Sequence, residues 1–161
     1  MRSLIPALVL TLAVPAVTEA AARGNPKATV AGKEVSIDYG RPELQGRDML
    51  SKLAVGDSWR LGADSPTALK TAADLSFGAV AVPAGEYILK LTRGEGDSWL
   101  LNVLRKSAAG AGDKLVDVPL KATPLDASVE TFTIELTGSG NAGTLALKWG
   151  KTALGTSFTA K

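Results

Sequence analysis

The residues best able to do chemistry crowd between Asp38 and Thr67. Arg41, Arg47 and Arg60 stand there with Tyr39, Trp59 and the carboxylates of Asp38, Asp48, Asp57 and Asp64, among turn-forming glycines and prolines. A guanidinium fork matches a carboxylate or phosphate through two parallel hydrogen bonds, so the arginines are candidates for holding a small anion. Trp59 is a candidate stacking platform for a sugar ring. Asp38 and Asp64 form a candidate glycosidase pair, which requires their carboxyl groups about 5 to 10 Å apart across a cleft. Each residue also has a plainer use. Arginines fasten a long loop by pairing with Asp38, Asp48, Asp57 or Asp64, Trp59 plugs the loop onto the core, and an Asp before Ser65-Pro66-Thr67 caps a turn. The candidate ligand-binding set is therefore Asp38, Tyr39, Arg41, Arg47, Trp59, Arg60, Asp64 and Thr67, with no catalytic set assigned.

What is missing narrows the chemistry further. The chain has neither histidine nor cysteine, which removes Ser-His-Asp and Cys-His nucleophiles, thiolate metal sites and imidazole-ligated metals. Asp57, Asp64 and Asp113 could offer oxygens to calcium, but no D-x-D-x-D-G spacing supports a loop for it, so no metal or other cofactor is expected. Gly138 to Gly143 carries the glycines of a phosphate loop but leads into a strand rather than a helix, which marks a hairpin turn.

The elements that must position the polar segment are strands. Ala28 to Val30 and Glu34 to Tyr39 flank Ala31-Gly32-Lys33 as a hairpin, with Val35, Ile37 and Tyr39 on one face and Asp38 on the other. Pro42, Gly40 and Gly46 end that run, and Asp48 to Ala54 has room for a single helical turn. From Thr67 onward the alternation is regular: Thr67 to Ala73, Leu75 to Phe77, Val80 to Val82, Glu86 to Thr92, Trp99 to Arg105, Leu115 to Lys121, Thr131 to Leu136, Thr144 to Trp149 and Ala153 to Thr159. Trp99 and Trp149 fall on apolar faces, and Pro119 predicts an edge position because it cannot donate to a ladder. The pattern predicts one all-β domain, an antiparallel, jelly-roll-like β-sandwich of roughly nine strands with at most one short helix.

The first residues predict export. Arg2 supplies a positive n-region, Leu4 to Val17 an apolar stretch and Ala20-Ala21-Ala22 a small-residue cleavage site. The apolar stretch is about 14 residues against the roughly 20 that span a bilayer. A leader over Met1 to Ala22 is expected, cut after Ala22 or alternatively after Ala20, followed by one domain over residues 23 to 161 in the periplasm or medium. No membrane insertion is expected after the cut. Without cysteines the domain has neither disulfides nor an acylatable thiol, so its core must stabilise it alone. The formal charge of +2 is spread over both signs, and the absence of a clustered basic patch argues against nucleic acid as a partner. A small polar ligand is the expected partner, with a glycosidase-like hydrolase or an envelope scaffold as alternatives.

The segment Val35-Ser36-Ile37-Asp38-Tyr39-Gly40-Arg41-Pro42, followed by Gly46-Arg47, Trp59-Arg60-Leu61-Gly62-Ala63-Asp64 and Thr67, resembles the bacterial domain of unknown function numbered 2911. Pro83-Ala84-Gly85-Glu86-Tyr87 and Trp149 extend the resemblance over most of the chain. Asp64 stands where that family usually has Asn, which replaces a donor and acceptor by a charged acceptor. The resemblance implies an exported all-β domain and no established activity.

Overall fold

The computed structural model describes residues 21–161. The leader expected over Met1 to Ala22 therefore lies, through residue 20, outside the described residues. In chain order the elements are β1 (Ala22–Gly24), β2 (Lys27–Val30), β3 (Lys33–Arg41), α1 (Met49–Lys52), β4 (Ser58–Trp59), β5 (Thr67–Thr71), β6 (Leu75–Phe77), β7 (Val80–Val82), β8 (Gly85–Arg93), β9 (Ser98–Ser107), β10 (Gly110–Ser139) and β11 (Ala142–Ala160). All the pairings are antiparallel. They run β1-β3-β5-β8-β9-β10-β11-β6-β7, with β2 on β3 and β4 on β8, and the sheet does not close into a barrel.

The all-β sandwich follows from the alternation. In β8 the side chains of Tyr87, Leu89 and Leu91 are buried while Lys90 and Thr92 reach outward, and β9 repeats this with Trp99, Leu101 and Val103 inside. Successive side chains of a strand point to opposite faces, so a two-residue apolar period gives one dry face per strand, and folding the sheet over that face makes the core.

Among the described residues eleven strands form where roughly nine were expected: β1 and β4 are strands that the alternation did not mark, while four expected stretches merge into two for a physical reason. The stretches Leu115 to Lys121 and Thr131 to Leu136 belong to the single strand β10, and Thr144 to Trp149 and Ala153 to Thr159 to the single strand β11. Register shifts interrupt β10 against β9 between Ala111 and Val116, and against β11 between Pro124 and Thr133. Such irregularities bend a strand and raise its twist, which lets one strand pass from one layer to the other. Gly150, at φ 60°, supplies the matching bend in β11. Pro119 pairs with Leu100 of β9, and the pairing of β10 with β11 begins only at Lys121, so the side towards β11 is open at the proline.

The one helix among the described residues is a single turn. Asp48 caps it by accepting from the Ser51 amide at 3.3 Å, and the Ser51 hydroxyl donates back to the Asp48 carbonyl at 3.2 Å.

Candidate functional site

Beyond Tyr39 the chain does not wander over the surface but runs along one edge of β10. Residues 133 to 139 of β10 pair with β11 on one side, beginning Thr133↔Lys148 and Ile134↔Leu147. The opposite edge would present unpaired amides and carbonyls at residues 130 to 134, and an open edge is both costly to bury and prone to pair with another chain. Residues 39 to 45 satisfy that edge. The Phe132 amide donates to the Pro42 carbonyl at 2.8 Å, the Leu44 amide donates to the Glu130 carbonyl at 3.0 Å, and Glu43 bridges Thr131. Where the backbone has diverged, side chains take over. The Ile134 amide donates to the Tyr39 hydroxyl at 2.8 Å, and Arg41 donates from Nε to the Phe132 carbonyl at 3.3 Å and from Nη2 to the Thr133 hydroxyl at 3.1 Å.

The same edge carries the aromatic centre of this end of the sandwich. Phe132 meets Tyr39 edge-on at 5.5 Å and Trp59 at 5.0 Å, and Trp59 stacks on Trp149 with centroids 5.1 Å apart. Trp149 donates Nε1 to the Glu130 carbonyl at 3.1 Å. One face of Trp59 is thus occupied by another indole. Beside the pair is an apolar slot of about 50 Å³ lined by Met49, Leu50 and Leu53, space for one or two waters and not for a sugar ring.

Residues 60 to 67 form a tight turn held from inside. Leu61 is fully buried at φ 60° and Asp64 adopts φ 63°, conformations that cost a non-glycine residue about 1 kcal/mol or more and need surrounding contacts to persist. Those contacts are present: the buried Thr67 hydroxyl donates to the Leu61 carbonyl at 2.6 Å, and Arg60 donates from Nη1 to the Asp64 carbonyl at 3.3 Å. Gly40 lies flat against Ala63, and a Cβ there would fall on the Ala63 carbonyl oxygen. That close approach explains the glycine between Tyr39 and Arg41.

On the solvent side of this seal lies an open cleft of about 770 Å³, lined by Arg41, Glu43, Arg47, Asp64 and Thr131 among others. Among the described residues, no carboxylate is within ion-pairing distance of Arg47. Asp64 accepts from the Ala21 amide at 2.8 Å. Asp38 points elsewhere, into an ion pair with Arg23 and a contact of 3.5 Å with the Asn25 amide, and does not line the cleft.

The eight candidate residues therefore divide. Tyr39, Trp59 and Thr67 are turned into the fold, Arg60 braces the Asp64 turn from its exposed side, and Asp38 ties β3 to β1 through Arg23. Arg41 spans seal and cleft, while Arg47 and Asp64 face the cleft. Among the described residues no group of three or more carboxylates is placed to hold a metal ion.

Two structurally important polar groups lay outside the candidate set. Arg93 donates Nη1 to the Ser51 and Leu53 carbonyls at 3.4 and 3.2 Å, stacks 5.4 Å over Trp99, and its backbone pairs with Gly56 and Asp57. It fastens the α1 loop to β8. Its signal was legible, since Tyr87, Leu89, Leu91 and Arg93 share one parity and a charge at an inward position needs partners. The second is a chain of hydrogen bonds across β4, β8, β9 and β10. The Ser58 hydroxyl donates to the Thr92 hydroxyl at 2.6 Å, Thr92 donates to Asn102 Oδ1 at 2.7 Å, Asn102 donates from Nδ2 to Asp117 at 2.7 Å, and Lys114 pairs with Asp117 at 2.7 Å. Partial burial pushes the Asp117 pKa up, but the hydrogen bonds from Lys114 and Asn102 and the Lys114 charge outweigh it and hold it below the ordinary carboxylate value.

No curated protein and no solved structure matches the chain. A family model described as Protein of unknown function (DUF2911) matches residues 22–158, from the first strand to the last. The edge-sealing Tyr39-Gly40-Arg41-Pro42 stretch, the Trp59 to Thr67 turn and Trp149 all fall inside that span, and the chain belongs to the DUF2911 family.

Proposed function

We propose that this is an exported binding domain that holds a small carboxylate-bearing ligand in the cleft between Arg41 and Arg47. The observation that carries this is Arg47: an exposed guanidinium facing a cleft of about 770 Å³ with no carboxylate partner among the described residues. Its neighbour Arg41 is oriented by the Phe132 carbonyl and the Thr133 hydroxyl, which use Nε and Nη2 and leave Nη1 for a ligand. Two arginines lining one cleft, one of them held in orientation, suit recognition of a planar anion. The composition of residues 1 to 22 supports export. The hydrolase alternative loses ground because Asp38 and Asp64 do not share the cleft, and the sugar-platform alternative because Trp59 is stacked on Trp149.

The test is a thermal-shift screen of the purified protein against mono- and dicarboxylates, acidic sugars, neutral sugars and inorganic phosphate, repeated with R47A. A ligand present at about 100 times its Kd adds nearly 3 kcal/mol of stability. The expected outcome is stabilisation by a carboxylate that disappears in R47A while the unliganded melting temperature stays the same. Stabilisation by no probe, or stabilisation that R47A retains, contradicts the proposal.

A further inference from the structure

We propose that the leader is cut between Ala20 and Ala21, and that the α-ammonium so created is held by Asp64 as part of the cleft wall. This inference rests on the export proposed above and adds the position of the cut and the role of the new terminus. Its observation is the contact of 2.8 Å between the Ala21 nitrogen and Asp64 Oδ2. That carboxylate is presented by a turn residue at φ 63°, braced through its carbonyl by Arg60. Ala22 then opens β1 by pairing with Arg41, and both Ala21 and Ala22 line the cleft.

The three possible cuts in this alanine run differ sharply. Cutting after Ala22 would remove the contact with Asp64 and the rung opposite Arg41, leaving Arg23 and Gly24 of β1. Cutting after Ala21 would put Glu19 at the third position before the bond, where a leader peptidase requires a small residue. Cutting after Ala20 puts the small residue Thr18 there and keeps every contact of β1. In that step water adds across the Ala20–Ala21 peptide bond: its hydroxyl completes the Ala20 carboxyl group and its hydrogen the Ala21 amine, which takes a further proton from solvent at neutral pH. A neutral amide donor becomes a cation at the same atom, and a hydrogen bond to an ionised donor is the stronger kind. The cleft changes with it. Arg41 and Arg47 balance Glu43 and Asp64 before the cut, and the ammonium afterwards leaves one positive charge in excess, which favours an anionic ligand.

The experiment expresses the full chain with its own leader and a C-terminal tag in a bacterial host and measures the intact mass of the envelope fraction. A product beginning at Ala21 is expected. A product beginning at Ala22 or Arg23 overturns the inference while leaving export intact, and an uncut chain confined to the cytoplasm overturns export itself. A second measurement asks whether Asp64 holds the terminus. D64A is made in proteins beginning at Ala21 and at Arg23, so that any effect on the turn cancels. A loss in Tm larger by about 2 °C in the protein beginning at Ala21 is expected for one exposed ion pair. Equal losses overturn the pairing.

Discussion

Replacing Tyr39 by Phe isolates the seal on β10 from everything else. The hydroxyl is removed, but the ring and its edge-on contact with Phe132 remain, so no cavity forms. Tyr39 is 2% and Ile134 3% exposed, which leaves the Ile134 amide without its acceptor and without access to water. An orphaned buried donor costs about 1 to 3 kcal/mol. For a domain of about 140 residues this corresponds to a fall in Tm of about 3 to 10 °C. In urea the midpoint should fall by about 1 M with the slope unchanged, because the surface exposed on unfolding is the same. Tyr87→Phe is the matched control. Its hydroxyl donates to the Pro83 carbonyl at 2.7 Å in an exposed turn, and water can replace it there, so the loss should stay below about 1 kcal/mol. If Y39F costs no more than Y87F, the tyrosine does not seal the edge.

Three further outcomes follow from particular contacts. Gly40→Ala places a methyl on the Ala63 carbonyl oxygen, backbone against backbone with no flexible neighbour to yield, and should cost about 1 to 3 kcal/mol in urea unfolding. Arg93→Met removes the donors to Ser51 and Leu53 and keeps an apolar contact with Trp99; limited proteolysis should then cut within residues 51 to 57 faster than in the parent, with little change elsewhere. Asp117 has a folded pKa below its unfolded value of about 3.9. Its contribution is therefore complete above that value and lost as pH falls through the folded pKa, so D117N should lose less stability in urea unfolding between pH 6 and pH 3 than the parent, the difference being under about 1 kcal/mol for this partly exposed pair.

The strands of the second half were legible because most apolar residues of β8, β9 and the first part of β11 recur two apart, and the single turn of α1 because Asp48 and the short run after it allow no more. The long strands were not. A bend such as that between Pro124 and Thr133 is set by which layer each half pairs with, and neither the period nor the composition of β10 records it. In the polar segment the arginines, aromatics and turn residues were legible as a cluster, but which of them are tied into the fold and which face the cleft was not. Tyr39 and Arg41 look like ligand contacts because they stand at the strand end beside a polar loop, and binding residues are disproportionately found on loops. Their partners, the Ile134 amide and the Phe132 carbonyl, lie more than 90 positions away, and only the folded chain shows that an unpaired edge is waiting for them. Arg47 and Asp64 differ from equally exposed neighbours in lining the cleft, a placement that local pattern does not determine.

The central claim is that residues 39 to 44 complete the hydrogen bonding of the β10 edge and so close this end of the sandwich. Native-state amide hydrogen exchange at Phe132 and Ile134 tests it directly, in the parent protein and in R41A and Y39F. The account predicts that both amides exchange as slowly as those of the central strand β9 in the parent, that Y39F speeds Ile134 by about tenfold or more, and that Phe132, bonded to the Pro42 carbonyl, is the less affected of the two in that variant. Rapid exchange at both positions in the parent protein would contradict it.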